Sequence, residues 1–385
     1  MDRRSFLFGT STLIASQLLM GCNNAKQYNL IVELLKGSVP EQVVSQFRSR
    51  LQVGIEAKFV PVNQIGNLFQ ELVNLQKQSQ VGKKDSGWLK YIPFIQGEEI
   101  VIPDLVTLGD YWLKAAIEQK LIQPLEVENI KNLPVLNAKW QESIKRDAQG
   151  NPSSQGKIWG LPYRWGNTVI IYNRDKFQQL NWLPTDWSDL WRSELRSRIS
   201  LLNHHREVIG LVLKKLGKSY NTENIEQIPN LQQELQTLNQ QVKLYSSTNY
   251  LEPILAGDTW LAVGWSNDVV SKVNTYQQLG VIVPQSGTAI WADLWVRPAN
   301  ANQNPLLYEW IDFCWQPNIA EQIALLTKQH SPINVNINPD DIPEQLQNFL
   351  LSNQAVFERS EFILPLSSDT NKKYQELFSK MKNNK

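Results

Sequence analysis

Ile158-Trp159-Gly160-Leu161-Pro162-Tyr163-Arg164-Trp165-Gly166, followed by the apolar run Thr168-Val169-Ile170-Ile171-Tyr172, divides the chain in two. Before it, strand and helix alternate. Residues 28–34 are β-rich, and 40–51 place Val43, Val44, Phe47 and Leu51 on one helical face. Residues 54–62 read as a second strand, 65–75 as a second helix, 100–108 as a third strand and 111–120 as a helix. That succession is the pattern of a parallel sheet with helices on both faces. After the divide a second set follows. Thr185 is placed to cap a helix through Asp186-Trp187-Ser188-Asp189-Leu190-Trp191, with acidic residues in its first turn. Strands are expected over 198–202, 260–263 and 281–284, and helices over 208–216, 223–241 and 269–279. Beyond the extended stretch 290–296, helices near 306–315, 319–326, 342–351 and 372–381 return to cover one or both halves. The fold class is α/β, in two halves.

The 385 residues, 42% hydrophobic and 19% charged, have a globular composition and a size suited to two lobes. Lys and Arg number 38 against 37 Asp and Glu, a balance without the basic field that a phosphate backbone needs, so nucleic acid is not an expected partner. Tryptophan is abundant at 14, which leaves rings available to face a ligand. Cys22 and Cys314 lie far apart and supply neither a disulfide framework nor a cysteine zinc site. Cys314, within Trp310-Ile311-Asp312-Phe313-Cys314-Trp315, reads as a buried, inert thiol.

Residues 1–21 read as an export signal, with Arg3-Arg4 at the head, an apolar middle and Gly21 before the cut. The apolar part is about 15 residues, short of the roughly 20 that span a bilayer. Arg3-Arg4-Ser5-Phe6-Leu7 resembles a twin-arginine motif. Leu19-Met20-Gly21-Cys22 resembles a lipobox, which makes Cys22 the acylated first residue and 22–27 a lipid tether. Removing 1–21 takes away Arg3, Arg4 and Asp2, which leaves 36 basic and 36 acidic residues from the original 38 and 37. The excursion over 78–97, which holds Trp88, Tyr91 and Phe94, reads as a surface segment whose rings pack locally.

Common catalytic signatures are missing. The chain has no G-x-S-x-G, H-E-x-x-H or G-x-G-x-x-G, and Gly217-Lys218-Ser219 lacks the upstream glycine of a phosphate loop. Adjacent His204 and His205 point to opposite sides of an extended segment, so no shared metal and no cofactor is expected. Two constellations stand out. In Leu201-Leu202-Asn203-His204-His205-Arg206-Glu207 a strand ends where a helix begins, the place at which open α/β sheets hold ligands, so Glu207 is ligand-facing or else a first-turn carboxylate serving the helix dipole. In Trp291-Ala292-Asp293 a ring and a carboxylate share one side of an extended segment. With Trp265, which ends the strand Leu261-Ala262-Val263-Gly264, they can hold a cation by charge and by the ring face.

These residues resemble the spermidine/putrescine-binding proteins of ABC transporters, within the bacterial extracellular solute-binding proteins, over residues 28–335. The matching stretches are Trp159-Gly160-Leu161-Pro162-Tyr163-Arg164-Trp165-Gly166, Tyr172-Asn173-Arg174-Asp175, Trp187-Ser188-Asp189-Leu190-Trp191, Arg206-Glu207-Val208, Trp265-Ser266-Asn267, Trp291-Ala292-Asp293, and Asp104-Leu105-Val106-Thr107 leading to Tyr111. The resemblance implies a two-lobed periplasmic-binding-protein-like fold of type II. Residues 28–165 with 292–345 form one lobe, 166–291 with 346–385 the other, and the ligand cleft lies between. It implies that Tyr111, Trp265 and Trp291 wall the methylene chain of an amine while Glu207 and Asp293 meet its ammonium groups. Arg164 and Trp165 sit near the hinge. The chain also departs from the pattern. An aromatic-rich first strand end is replaced by Leu34-Leu35-Lys36-Gly37-Ser38-Val39-Pro40, the acidic partner before Glu207 by His204, and the late tyrosine by His330. A histidine near its usual pKa of about 6.5 is mostly uncharged at neutral pH, so two matched carboxylates remain where the family has three.

The expected protein is no enzyme. It is a monomeric, lipid-anchored binding component, periplasmic or on the cell surface, that closes around a small cationic solute and presents it to a membrane permease. The rival solutes are iron, thiamine, an amino acid or an anion, the last requiring Arg206 or Arg164 to face inward. The rival class is an exported glycoside hydrolase with Glu207 and Asp293 as its paired carboxylates.

Overall fold

The computed structural model describes residues 28–84, 101–273, 275–351 and 354–383. The export signal, Cys22, the tether and the rings Trp88, Tyr91 and Phe94 lie outside the described residues. In chain order the strands are β1 (Leu30–Leu35), β2 (Ala57–Val62), β3 (Leu105–Gly109), β4 (Ile122–Gln123), β5 (Lys145–Arg146), β6 (Lys157–Ile158), β7 (Leu161–Asn173), β8 (Ile199–Leu201), β9 (Val242–Tyr245), β10 (Leu261–Trp265), β11 (Leu279–Ile282), β12 (Ala289–Pro298) and β13 (Glu361–Phe362).

β7 joins the halves. The reading that confined the strand to 168–172 is too short: it runs through Pro162, Gly166 and Asn167 as well, and all 13 of its residues are buried. A strand covered on both faces can be continuously apolar, and Thr168-Val169-Ile170-Ile171 supplies the β-branched residues that such a strand favours. Pro162 is tolerated because it pairs with Leu294 where the register of β12 shifts. Up to Asn167 the strand pairs with β12. From Thr168 onward it pairs with β10 on one side and, from Ile170, with β11 on the other.

The two halves repeat one plan. In the first, β1 lies between β2 and β3, all parallel, and β3 pairs antiparallel with β12, which pairs with β7. In the second, β8 lies between β9 and β10, all parallel, and β10 pairs antiparallel with β7, which pairs with β11. Parallel strands need crossover helices, which is why helix and strand alternate in the sequence. The first half has its own core, in which Phe47 and Trp310 meet edge to face with centroids 5.0 Å apart. The second packs Trp187, Leu190 and Ile209 under Tyr374 and Phe378 of the helix Ser368–Asn383. A third cluster sets Leu346 and Phe349 of the helix Glu344–Leu350 against Leu279 and Val281 of β11.

Three local expectations change. The long polar helix begins at Leu231, because Pro229 blocks helix before it and Asn230 turns through a left-handed φ of 61°. The helix expected over 269–279 is the short Ser266–Val270, after which turns lead into β11. The cap at 185 belongs to Asp186, whose carboxylate accepts from Trp187 N at 2.8 Å while Asp189 accepts back from Asp186 N at 3.1 Å. Cys314 is buried and free, and burial pushes its thiol well up.

Candidate functional site

Four parallel strands, two from each half, end at one place. Leu35 closes β1, Gly109 closes β3, Trp265 closes β10, and β8 leads within three residues to His204. Carboxyl ends of strands are where open α/β sheets leave room for a ligand. A cavity of about 380 Å³ lies there. The first half lines it with Leu35, Ile65, Asp110, Tyr111 and Trp112; the second with His204, Glu207, Trp265 and Asn267. The crossing strands add Arg164, Trp291 and Asp293. Of the ligand residues expected from the sequence, Tyr111, His204, Glu207, Trp265, Trp291 and Asp293 converge here, and His330 does not.

Glu207 is buried in the first turn of the helix His205–Lys215. It lines the cavity from there, so the first-turn carboxylate is also a cavity-facing one. Its Oε2 accepts from Thr168 Oγ1 at 2.9 Å and its Oε1 from the Trp265 indole Nε1 at 3.0 Å. Burial raises its pKa, while those two donors and Arg206 act the other way. Trp265 is set in turn by Tyr250, whose hydroxyl accepts from the Trp265 amide at 3.1 Å and donates to Asp268 at 2.7 Å.

His204 caps the same helix, its Nδ1 accepting from Glu207 N at 3.4 Å. Burial, with His205 and Arg206 nearby, lowers its pKa to about 4. It is therefore neutral at pH 7, with its proton on Nε2. Where the resemblance places a carboxylate, this chain presents an uncharged ring. That ring meets Tyr111 from the other half, with centroids 5.5 Å apart at 72°, so the halves touch across the cavity. Tyr111 is 54% exposed there.

Asp293 is not a lone carboxylate. Arg164 Nε donates to its Oδ2 at 2.7 Å, and both side chains are buried. Trp291 lies against β7, its Nε1 donating to Asn167 O at 3.3 Å. Gly166 makes that approach possible, since a Cβ there would lie 2.3 Å from Trp291 Cζ2.

His330 is elsewhere. Its backbone bridges Trp165 in both directions, and its ring stacks on the Trp165 indole at 4.3 Å. It lines a separate cavity of about 90 Å³ with Trp140 and Phe357, and burial lowers its pKa to about 3. The two-residue backbone bridge holds it there, away from the larger cavity. Trp165 shares that second cavity, so of the two hinge candidates only Arg164 faces the first.

One wall residue escaped the sequence reading. Asp110 directly follows Gly109 at the end of β3, and its Oδ1 accepts from the Ala292 amide at 3.1 Å. Burial raises its carboxyl to about 7, opposed by the amides of Ala292 and Tyr111 and by Arg146, and aided by Asp293. The available signal was its position one residue before Tyr111 at a strand's carboxyl end. Leu35, which stands in place of an expected aromatic, is on the wall too. Arg206 turns away to Leu364 O, Tyr220 O and Asn221 Oδ1.

Comparison with known proteins follows the same lines. The spermidine/putrescine-binding periplasmic protein of Escherichia coli (strain K12) is 28% identical over 221 residues, which are 57% of this chain and 61% of that protein. The putrescine/agmatine-binding protein of Pseudomonas aeruginosa is 24% identical over 235 residues, 57% of this chain and 62% of that one. The chain thus spans less than two thirds of the length of these relatives. Among solved structures, the spermidine/putrescine ABC transporter substrate-binding protein of Streptococcus pneumoniae matches with a TM-score of 0.73 at 20% identity, covering 93% of this chain and 99% of that chain. At that identity the likeness is one of fold, the two-lobed α/β fold of periplasmic binding proteins. The family model described as bacterial extracellular solute-binding protein matches residues 101–355, more than half of the 385, and the chain belongs to that family.

Proposed function

We propose that this protein captures a small cationic, polyamine-like solute for an ABC importer. It is held to the membrane by lipid on Cys22 and closes 28–165 with 292–345 onto 166–291 with 346–385. It works as a monomer that hands its solute to a membrane permease. The observation that carries this reading is the wall of one cavity, where Tyr111, Trp265 and Trp291 stand beside the carboxylates of Asp110, Glu207 and Asp293. Ring faces and carboxylates in a poorly hydrated space favour a cation with an apolar stem. The printed names of the curated relatives support the same solute class.

No chemistry is required. A ligand touching both halves binds the shut form better than the open one and shifts the population by that difference. The hydrolase pair expected from the sequence, Glu207 with Asp293, is broken, because Asp293 is engaged by Arg164 at 2.7 Å. An anion site lacks its cation, since Arg206 turns away and Arg164 is committed.

A thermal-shift screen with putrescine, spermidine, agmatine and arginine tests the proposal. A ligand that binds the native form raises the melting temperature, by about 2.7 kcal/mol of stabilisation at one hundred times its Kd. If none of the four shifts the melt, the cationic assignment is wrong. Mass spectrometry of the membrane-extracted protein tests the anchor. An unmodified N-terminal peptide containing Cys22 would refute it.

A further inference from the structure

We infer that Asp110 is the first half's anchor for a second positive charge, so that the cavity selects solutes with two separated cationic groups over solutes with one. The inference rests on the amine reading above and adds to it a residue and a selectivity.

The charges on the wall are not equivalent. Asp293 has its own cation in Arg164, and an ammonium placed beside that pair would meet the guanidinium as well as the carboxylate. Glu207 is held by two neutral donors, Thr168 and Trp265, which orient the charge without cancelling it. Asp110 is likewise held by amides, those of Ala292 and Tyr111. Arg146, the cation whose field reaches it, comes from β5 on the first half's own side. Two carboxylates with no cation bonded to them among the described residues therefore face one space, Asp110 from the end of β3 and Glu207 from the start of the helix after β8. His204 is neutral and supplies no third charge.

This arrangement couples charge to shape. Without a solute, the two carboxylates are costly to desolvate. The raised pKa of each reports that cost. A solute with a cation at each end removes both penalties at once and ties one half to the other. A monocation relieves only one.

The test compares putrescine with butylamine, which share a four-carbon chain and differ by one ammonium group. Quenching of intrinsic fluorescence follows both into the millimolar range, because Trp265 and Trp291 line the cavity. In the unaltered protein putrescine should bind far more tightly than butylamine. Asp110→Asn keeps the shape and an oxygen for the Ala292 amide, and should weaken putrescine about 10- to 100-fold, the range of a lost hydrogen bond to a charged group. Butylamine should stay within about threefold under the same change, a shift of less than 1 kcal/mol. Asp110→Ser, read in the same way, guards against misfolding of the first variant. Equal losses for the two amines, or no loss for either, overturn the inference while the amine reading stands. If the unaltered protein binds neither amine, the amine reading falls and this inference falls with it.

Discussion

The indole N–H of Trp265 donates to Glu207 Oε1 at 3.0 Å, so a ring of the cavity wall and the second half's charge are fixed as one unit. Thr168 holds the other oxygen at 2.9 Å from the strand shared by both halves. A carboxylate held in this way cannot rotate away from a bound cation. Glu207→Gln keeps the size and loses the charge, and should weaken amine binding by about 1.5 to 3 kcal/mol. Trp265→Phe keeps a ring face but frees Oε1, and should cost less, about 1 kcal/mol. Titration calorimetry on both variants checks the order. A larger loss in Trp265→Phe would mean that the indole, not the charge, dominates.

Arg164 and Asp293 form a buried pair whose members cannot be removed one at a time without cost. Asp293→Ala leaves a buried guanidinium unmatched, and Arg164→Met leaves a buried carboxylate unmatched. Each should destabilise the fold by about 3 to 5 kcal/mol. The double variant Arg164→Met with Asp293→Leu should recover most of that loss, since two apolar residues replace two charges. Urea denaturation measures all three. Unchanged midpoints in both single variants would mean that the pair is not desolvated.

The halves, their alternation and the dividing stretch are legible because helix and strand periods differ and because β7 carries the apolar run Val169-Ile170-Ile171-Tyr172. What was not legible depended on long-range pairing. The pairing of Arg164 with Asp293 requires the β7–β12 register, which no local pattern encodes. His330 stands where the resemblance places a late tyrosine, but its own backbone bonds to Trp165 hold it on another cavity. Asp110 was passed over because a carboxylate beside a tyrosine at a strand end carries no motif. Glu207, by contrast, follows from the general rule about strand ends, and the structure sets it both in a helix's first turn and on the cavity wall.

Asp110 makes the empty protein sensitive to pH. Its carboxyl is raised from 3.8 to about 7 by burial, so the stability it contributes is fully present below 3.8 and is lost as pH rises through 7. The charges that act on it are Arg146 and Asp293, and Arg164 and Glu207 share the cavity wall with it. His204, at about 4, is already neutral through the upper part of this window. Asp110→Asn should therefore raise the stability of the ligand-free protein at pH 8 by about 1 to 3 kcal/mol and change it little at pH 3.5. Binding of a diamine should favour the ionised carboxyl, release protons near pH 7, and tighten as pH rises through that value. Calorimetry in buffers of different ionisation heat reads the proton count. A count near zero in the unaltered protein, or one that persists in Asp110→Asn, would assign the pH dependence elsewhere.

Gly166 sits opposite Trp291 in the β7–β12 pairing, at the point where β7 passes from one half to the other. An added Cβ would lie 2.3 Å from Trp291 Cζ2, 2.3 Å from Ser266 Oγ and 2.6 Å from Gln329 Oε1. The last two atoms are hydrogen-bonded to each other at 3.0 Å, so neither is free to withdraw without loss. Gly166→Ala must both displace the tryptophan from the cavity wall and strain the Ser266–Gln329 contact, at a cost of about 1 to 3 kcal/mol. Amine affinity should fall at least tenfold if the ring moves, since that ring is one of the faces a cation would meet. Adding Trp291→Leu to Gly166→Ala separates the two effects: the smaller side chain removes the clash at Cζ2 but not those at Ser266 and Gln329, so thermal stability should return only in part while affinity stays low. Recovery of both would mean that Trp291 shapes the strand crossing and does not contact the solute.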